Sequence, residues 1–443
     1  MLRDRLPAMQ DSFIPKTAKA QGITNGYIAT EKETGDTFIL KQFYKSIAKL
    51  PKEIAYDPDA FGRVLNDRDD GMTELLGSTL YQLLLYNRAP KEALVLPDQN
   101  NSDSLYVRSK FFANAVTLSS FTKGIHGWDV LSDKVLRQVE GFEKAIAACH
   151  MLGESDYHAG NLMVQNGTTI VKIDNGKSFV ENYEDFGTMV NKTYNSFSSH
   201  GYAKAIADGN LPFSIEKYSQ ALNQMLSQYD EKQMEAAVDQ KFAELEKAGF
   251  DLKGLSDLGY NGLKEFYKKK VRQNVANMRG IAKSAEIVTK FSNVSPEFKS
   301  GGWLEDFAKS PIKDPVAYAA HNNIQIEGQN ALEWAYNNRY KIKITETTSL
   351  DPMEYIANEK KKLSLPLSKS EVEFVVRAEE LGFTNAKGKG MKVILEEANI
   401  ALHPEKQIIT RMQLQEQAAM MALTSLVDKF VAETTNGQVT EKK

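Results

Sequence analysis

The segment ESDYHAGNLMV, residues 154–164, places several oxygen-bearing side chains in one short polar stretch. Asp156 and Asn161 are five residues apart in it, and Gly160 permits a tight backbone between them. Asp174 lies thirteen residues after Asn161 and immediately follows the apolar run Ile-Val-Lys-Ile in the sequence. An Asn-Gly turn signal separates this run from the preceding apolar one, so we predict a hairpin that brings Asn161 and Asp174 together. Carboxylate and amide oxygens are the ligands that Mg²⁺ or Mn²⁺ prefers, usually together with phosphate oxygens.

These two segments resemble the catalytic loop and the metal motif of the protein-kinase-like superfamily. The run Asp-Tyr-His-Ala-Gly-Asn, residues 156–161, is similar in its D-x-H-x-x-N form to phosphatidylinositol 3/4-kinases, and its H-x-G-N ending is similar to aminoglycoside, choline and UbiB-like atypical kinases. The resemblance implies that Asp156 orients or deprotonates the attacking hydroxyl. It also implies that Asn161 and Asp174 bind the metal ions that bridge the ATP phosphates. A polar turn without any ligand is the alternative interpretation.

The same resemblance implies two residues upstream, a strand lysine that holds the ATP phosphates and a helix glutamate that pairs with it. Lys41 stands in the β-prone run DTFILKQFY, on the same strand face as Ile39. Glu74 is the only acidic residue between residues 72 and 90, and it stands in an otherwise apolar helical pattern. This setting suits a partly buried ion pair between Glu74 and Lys41. Taken alone, Lys41 could be a solvated strand lysine, and Glu74 an acid favoured by the helix macrodipole.

A phosphate-binding loop is expected just before the lysine strand, where backbone N–H groups can face the phosphates. The family has a glycine-rich loop there, and QGITNGY offers Gly22 and Gly26, aided by Thr24 and Asn25. We predict these four residues as nucleotide-binding residues. We also predict that His158 supports the catalytic loop by a hydrogen bond.

The triplet Asp185-Phe186-Gly187 matches the spelling of the protein-kinase metal motif better than Asp174-Asn175-Gly176 does. It follows a polar acidic run instead of an apolar strand, and it lies 24 residues beyond Asn161, too far for one tight hairpin to close. We therefore predict the metal ligand at Asp174, and a loop or a helix start at Asp185. No Ala-Pro-Glu motif follows, so an activation segment of the ordinary kind is not expected.

The elements that would position these residues follow from hydrophobic periodicity and turn signals. Strands are predicted at 27–30, 37–44, 93–96, 105–112, 162–164 and 170–173, and helices at 70–88 (capped by Asp70), 132–152, 214–248, 257–290, 329–343, 368–382 and 407–434. This order predicts an α+β chain. With the resemblance, it predicts a two-lobed protein-kinase-like fold with an additional α-helical C-terminal region. We place a β-rich N-lobe at 1–113, a mostly helical C-lobe at 114–345, and a helical extension with a disordered tail at 346–443.

Composition narrows the class of protein. The 443 residues carry a formal net charge of −3, which argues against general affinity for nucleic acid. The single cysteine, Cys149, excludes an intramolecular disulfide and a cysteine-based zinc site. The N-terminus lacks the apolar region of a secretory signal, and no apolar run reaches the length of a membrane span. We therefore expect a cytoplasmic protein, or an effector that is secreted by dedicated machinery and acts in a host cell.

A group of basic residues falls in one predicted helix: Lys268, Lys269, Lys270, Arg272 and Arg279. Such a face can bind a polyanion, for example an inositol phosphate, a phosphoinositide headgroup or an acidic lipid surface. A solvated helix face is the other interpretation, and it is the one that we favour.

These observations predict an ATP-dependent kinase that uses Mg²⁺ or Mn²⁺ to transfer the γ-phosphoryl group to a hydroxyl. As acceptor we expect a protein serine or threonine first, a phosphoinositide second and another small molecule third. A pseudokinase, which binds nucleotide without turnover, is the further alternative. Retention of the complete set Lys41, Glu74, Asp156, Asn161 and Asp174 argues against a pseudokinase, whereas the poor glycine loop argues for it.

Overall fold

The computed structural model describes residues 12–18, 26–48, 50–96, 103–126, 138–197, 214–292, 306–307, 309–345, 348–363 and 367–398. The chain forms two compact units, one of residues 1–286 and 298–309, the other of residues 287–297 and 310–443. The division that we predicted, with boundaries after residues 113 and 345, is not decided by these units and stays a prediction. The described elements mix helices with antiparallel strands, as expected for an α+β chain.

The first unit alternates strands and helices before it becomes helical. Its strands are β1 (Phe13–Ala18), β2 (Gly26–Glu31), β3 (Thr37–Tyr44), β4 (Glu92–Val95), β5 (Ser104–Lys110), β6 (Ala115–Thr117), β7 (Leu162–Gln165) and β8 (Thr169–Lys172). Its helices are α1 (Lys52–Ala55), α2 (Pro58–Leu85), α3 (Leu118–His126), α4 (Phe142–Met151), α5 (Phe186–Phe197), α6 (Ile215–Gln228), α7 (Glu231–Lys247) and α8 (Gly259–Thr289), the last of which continues into the second unit.

Strands β1 to β5 form an antiparallel sheet in the order β1-β2-β3-β5-β4. One face of this sheet is covered by a buried apolar cluster of Phe13, Ala29, Phe38, Leu40, Val95 and Tyr106. Because side chains alternate along a strand, Lys41 lies on the opposite face from Leu40. Helix α2 packs on that opposite face so closely that a Cβ at Gly71 would lie 2.7 Å from the Phe43 ring. The sheet therefore presents Lys41 to α2.

Helix α2 begins twelve residues earlier than predicted. Asp57 is its N-cap and accepts hydrogen bonds from the N–H groups of Asp59 and Ala60, with Pro58 in the first turn. Asp70 was predicted to be the cap and is instead in the middle of the helix. The charged run between residues 57 and 71 hid the helical period, although a capping aspartate followed by proline is a helix-start signal.

Three other predicted helices also differ from the structure. The helix predicted at 214–248 is broken into α6 and α7, because Asp230 caps α7 through the N–H of Gln233. Of the helix predicted at 132–152, residues 138–141 are not helical and the helix begins at Phe142, whereas residues 132–137 lie outside the described residues. The helix predicted at 329–343 ends at Asn337 and is followed by a strand. The helix predicted at 407–434 lies outside the described residues.

The second unit is mostly helical. Its elements are α9 (Pro315–His321), β9 (Gln325–Ile326), β10 (Gln329–Asn330), α10 (Ala331–Asn337), β11 (Ile342–Lys343), β12 (Ser349–Leu350), α11 (Pro352–Leu363), α12 (Lys369–Glu380) and α13 (Met391–Glu397). Ser368 and Glu371 form a reciprocal capping box at the start of α12. Among the described helices of both units, we find none with the length and apolar character to cross a membrane.

Candidate functional site

Lys41 is the centre of a buried charge cluster. Its ammonium group forms an ion pair with the Oε1 of Glu74 on α2, and it donates a hydrogen bond of 3.2 Å to the Oδ1 of Asp174. Burial, the largest influence, acts to lower the pKa of Lys41, but the carboxylates of Glu74 and then Asp174 raise it above its ordinary value. Lys41 is therefore a fixed positive charge, and its predicted pairing with Glu74 is present.

The hairpin of β7 and β8 brings the predicted metal ligands to one end, as the sequence predicted. Leu162 pairs with Lys172, and the N–H of Ile173 donates to the carbonyl oxygen of Asn161 at 3.0 Å. The Nδ2 of Asn161 donates to the carbonyl oxygen of Asp156 at 2.8 Å and to its Oδ2 at 3.0 Å. These two bonds do not use the Oδ1 of Asn161, which is the atom that could bind a cation.

Asp174 has an unusual backbone that a buried lysine holds in place. Its φ of 57° lies in the left-handed region, which aspartate tolerates better than most residues. The Nζ of Lys172 donates to the carbonyl oxygens of Ile173 and Asp174, each at 2.7 Å. The carboxylate of Asp174 is half exposed, so a ligand can reach it while its main chain stays fixed.

Glu154 is the buried partner of this lysine, with its Oε2 lying 3.8 Å from the Nζ of Lys172. Its Oε1 accepts a hydrogen bond from the N–H of Asp156 at 3.1 Å, and its Oε2 accepts one from the Oγ of Ser178 at 3.0 Å. Sequence reasoning missed both residues. The signal that could have found Lys172 is a lysine between apolar residues of a strand predicted to be buried.

Helix α2 is fastened to the segment that follows Asp174. The Oγ1 of Thr73 donates to the carbonyl oxygen of Gly176 at 2.5 Å, and Lys177 forms an ion pair of 2.5 Å with Asp70. A Cβ at Gly77 would lie 2.7 Å from the Oγ of Ser178, so only glycine permits this approach. The helix that carries Glu74 and the segment that carries Asp174 are thus held together by side-chain and backbone contacts.

His158 supports the loop between Asp156 and Asn161, as predicted. Its Nδ1 accepts a hydrogen bond of 2.9 Å from the N–H of Gly160, and its Nε2 lies 3.3 Å from the Oδ1 of Asp156. This loop also rests on a buried polar network below Tyr157. There the Nδ1 of His150 lies 2.8 Å from the Tyr218 hydroxyl, and its Nε2 lies 3.2 Å from the Tyr157 hydroxyl.

A cavity of about 300 Å³ opens beside Asp156. Its lining includes Ser155, Tyr157, Glu181, Tyr183 and Lys192. Lys192 forms an ion pair with Glu181 and lies 5.7 Å from the centre of the Tyr183 ring. The cavity therefore offers hydroxyls, an aromatic face and one paired lysine, at a volume near the lower end of small-molecule pockets.

The second triplet has a structural role. The Oδ1 of Asp185 accepts from the N–H of Thr188 at 2.8 Å, and its Oδ2 accepts from the Oγ1 of the same residue at 2.9 Å. Asp185 thus caps α5, and Phe186 is buried against the Phe307 ring. The prediction of a loop or helix start at Asp185 is confirmed.

The predicted nucleotide-binding loop is described only at its end. Gly26 is the first residue of β2 and lies opposite Lys41 in the sheet. Gly22, Thr24 and Asn25 lie outside the described residues. Within the described part of the chain, we find no group of three or more histidine, cysteine, aspartate or glutamate side chains that could hold a metal. Asn161 and Asp174 would therefore hold a cation only with further oxygens, which phosphates and water can supply.

Two of the five basic residues predicted on this helix, now α8, are paired with acidic side chains. Lys268 forms ion pairs of 2.8 Å with Asp239 and 3.2 Å with Glu265, and Arg272 pairs with Glu235. Asp239 and Glu235 both belong to α7. These contacts favour a packed and solvated helix face over a polyanion site around Lys268–Arg272.

Comparison with known proteins finds one family model and two relatives that are similar to parts of the chain. The LepB N-terminal domain family matches residues 92–284, which include Asp156, Asn161 and Asp174 but not Lys41 or Glu74. An uncharacterized protein of Rickettsia conorii is 55% identical over 353 residues, which cover 78% of this chain and 50% of that protein. An uncharacterized protein of Rickettsia prowazekii is 55% identical over 351 residues, which cover 77% of this chain and 57% of that protein. The chain thus spans about half the length of the curated relatives that it matches, and it is similar to the LepB N-terminal domain over the segment that contains the hairpin site.

Proposed function

We propose that this chain is an ATP-dependent kinase that transfers the γ-phosphoryl group to a hydroxyl, with a protein serine or threonine as the first candidate acceptor. The observation that carries the proposal is the position of Lys41, which contacts Glu74 on a helix and Asp174 at the end of a hairpin. Protein kinases need a strand lysine, a helix glutamate and a metal-binding aspartate in place together. We propose a two-lobed protein-kinase-like fold for this set, with the five-stranded sheet and α2 in the small lobe.

Each side chain has a role that its surroundings support. Lys41 would bind phosphate oxygens, since its ammonium stays charged between the carboxylates of Glu74 and Asp174. Asn161 and Asp174 would hold Mg²⁺ or Mn²⁺, which neutralises charge on the transferred group. Asp156 would orient the acceptor hydroxyl and accept its proton, because its carboxylate is half exposed and anchored by Asn161.

The cavity beside Asp156 is the proposed place for the acceptor. Its volume of about 300 Å³ suits one side chain of a bound protein or a small headgroup. Lys192 within it is paired with Glu181, so a phosphoinositide stays the second candidate acceptor. We propose that the protein acts in the cytoplasm of its own cell, or in the cytoplasm of a host cell if it is a secreted effector.

Phosphoryl transfer should be tested with the full chain, [γ-³²P]ATP and either MgCl₂ or MnCl₂. Protein acceptors and phosphoinositide vesicles are offered in separate reactions. We expect Asp156→Asn to reduce label transfer by roughly 10²–10⁴-fold, because it removes the base but keeps the shape of the side chain. Lys110→Met is the matched control for Lys41→Met, since Lys110 lies on the same sheet with its side chain half exposed.

The outcomes separate the candidates. Label on protein supports the first acceptor, and label on lipid alone supports the second. Binding of Mn²⁺ and ATP without any transfer indicates the pseudokinase. Label that survives both Asp156→Asn and Lys41→Met contradicts the proposed site.

A further inference from the structure

Glu92, which the kinase prediction does not use, lies on the same face of the sheet as Lys41. On β4 it pairs with Ser109 of β5, and Ser109 pairs with Ile39 of β3. Residues opposite one another in an antiparallel sheet project to the same side, and Ile39 and Lys41 share a side because they are two residues apart. Glu92 therefore faces α2, which carries Glu74 on that side.

The carboxyl group of Glu92 is buried without a conventional partner. The residue is 6% exposed, and neither its Oε1 nor its Oε2 forms a hydrogen bond of ordinary geometry with any described residue. The hydroxyls of Ser78 and Ser109 and the carboxyl group of Glu74 are its polar neighbours. Two ionised carboxylates offer no donor to each other, so this contact is a hydrogen bond only if one of the groups carries a proton.

The local charges show which group carries the proton. Lys41 contacts Glu74 and Asp174 directly, so its single positive charge is already shared between two carboxylates. A third ionised carboxylate in this buried place would lack a counter-ion, which is costly in a protein interior. Burial and then Glu74 raise the pKa of Glu92 well above its ordinary value, with Lys41 acting in the opposite direction.

We propose that Glu92 is a neutral carboxylic acid that positions Glu74 by donating a hydrogen bond to it, so that Glu74 holds Lys41 with its remaining oxygen. Glu92 is then a positioning residue for the Lys41–Glu74 pair. As a neutral group, it adds no negative charge that would compete with phosphates for Lys41. The consequence for nucleotide binding rests on the proposed function, whereas the protonation of Glu92 does not.

The first test is urea unfolding of the full chain at pH 6 and pH 8, with wild type and Glu92→Gln. The amide has the size of the acid and can donate the same hydrogen bond, and at pH 6 it has no proton to lose on unfolding, so we expect Glu92→Gln to be at least as stable as wild type there. The folded wild type holds a proton that its unfolded chain releases above the ordinary glutamate pKa, so rising pH favours unfolding of the wild type only. At pH 8 the folded-to-unfolded ratio of Glu92→Gln should exceed that of wild type by about tenfold or more.

The matched control is Glu31→Gln on β2, because Glu31 forms an ion pair with Arg108 of the same sheet. That variant loses an ionised partner and should gain nothing between pH 6 and pH 8. A Glu92→Gln chain that fails to fold, loses stability at pH 6 or shows no gain at pH 8 overturns the proposal, because a neutral acid that only donates this hydrogen bond is replaceable by its amide.

The second test is calorimetric titration of Mn²⁺ and ATP at pH 7 and pH 9. We expect any fall in the affinity of wild type between pH 7 and pH 9 to be absent from Glu92→Gln, whose affinity should stay within about twofold of its pH 7 value. Glu92→Leu cannot donate to Glu74 and should bind more weakly than Glu92→Gln at pH 7. A parallel fall in both Glu92→Gln and wild type contradicts the positioning role. If wild type binds no nucleotide, the proposed kinase function fails, and the unfolding test still decides the protonation of Glu92.

Discussion

The ammonium group of Lys172 lies 2.7 Å from the main-chain carbonyl oxygen of Asp174. The side chain of Lys172 is fully buried. The same ammonium lies 3.8 Å from Glu154, which accepts the backbone N–H of Asp156. One buried ion pair therefore joins the two segments that carry the proposed catalytic and metal-binding aspartates. Their separation depends on this pair as well as on the hairpin between them.

Replacement of Lys172 by methionine should be strongly destabilising. The Lys172→Met chain keeps the volume but leaves the buried Glu154 without its counter-ion, and two carbonyl oxygens lose their donor. We expect a loss of about 3–5 kcal/mol in the free energy of unfolding, measured by urea titration. The double variant Glu154→Gln/Lys172→Met should lose less than the sum of the two single variants.

The exposed pair of Lys110 and Asp36, at 3.9 Å, supplies the control for this cycle. Lys110→Met should change the unfolding free energy by less than about 1 kcal/mol. Additive losses for Glu154 and Lys172 would show that the two side chains act independently.

The sequence was sufficient for the parts of the site that depend on residue type and short spacing. The kinase resemblance implies a strand lysine and a helix glutamate, and the sequence offers one lysine in an apolar strand and one acid in an apolar helix, so Lys41 and Glu74 could be matched. The Asn-Gly turn likewise fixed which residues close the hairpin, and hence the approach of Asn161 to Asp174.

The parts that the sequence missed depend on contacts between distant segments. Glu154 and Lys172 look like an ordinary helix-end acid and an ordinary strand lysine until the fold buries both. Glu92 reaches the face of Lys41 only because β5 lies between β3 and β4, an order that local patterns do not encode. The start of α2 was missed for a local reason, since charged residues interrupt its apolar period.

His150 should make the protein sensitive to mild acid. Burial lowers the pKa of His150 to about 3, whereas an unfolded chain binds the proton near pH 6.5. The unfolded chain therefore takes up a proton that the folded protein does not, and stability falls as the pH drops below 6.5. This single residue should remove roughly 2 kcal/mol of unfolding free energy between pH 7.5 and pH 5.

Urea unfolding of His150→Gln at both pH values measures this contribution. The variant should be less stable than wild type at pH 7.5, but its further loss at pH 5 should be smaller by that amount. Thr193→Val is the control, because the Thr193 hydroxyl lies 3.0 Å from the Nε2 of His150 and does not titrate. If His150→Gln keeps the full acid sensitivity of wild type, His150 is not the group responsible.

Gly160 should tolerate alanine only when His158 is shortened. A Cβ at residue 160 would lie 2.6 Å from Cε1 of the His158 ring, and the backbone there is not left-handed. The cost therefore comes from the ring, and we expect Gly160→Ala to destabilise the protein by about 1–3 kcal/mol. The double variant His158→Ala/Gly160→Ala should recover most of that loss in a thermal or urea unfolding experiment.

Gly280→Ala, in open space on a helix, is the matched control and should be neutral or slightly stabilising. A double variant that is no better than Gly160→Ala would mean that something other than the His158 ring opposes a side chain at residue 160.

The two Asp-x-Gly triplets should respond in opposite ways when each loses its aspartate. Asp174→Asn keeps a residue type that tolerates a positive φ but removes the charge, so affinity for Mn²⁺ and ATP should fall at least tenfold in a calorimetric titration. The fold should remain, because the main chain at residue 174 is held by Lys172. Asp185→Ala removes the cap of α5 and should cost about 1 kcal/mol of unfolding free energy with little change in that affinity. The reverse result, with nucleotide affinity lost at Asp185 and retained at Asp174, would move the metal site to the second triplet, in conflict with the capping bonds to Thr188.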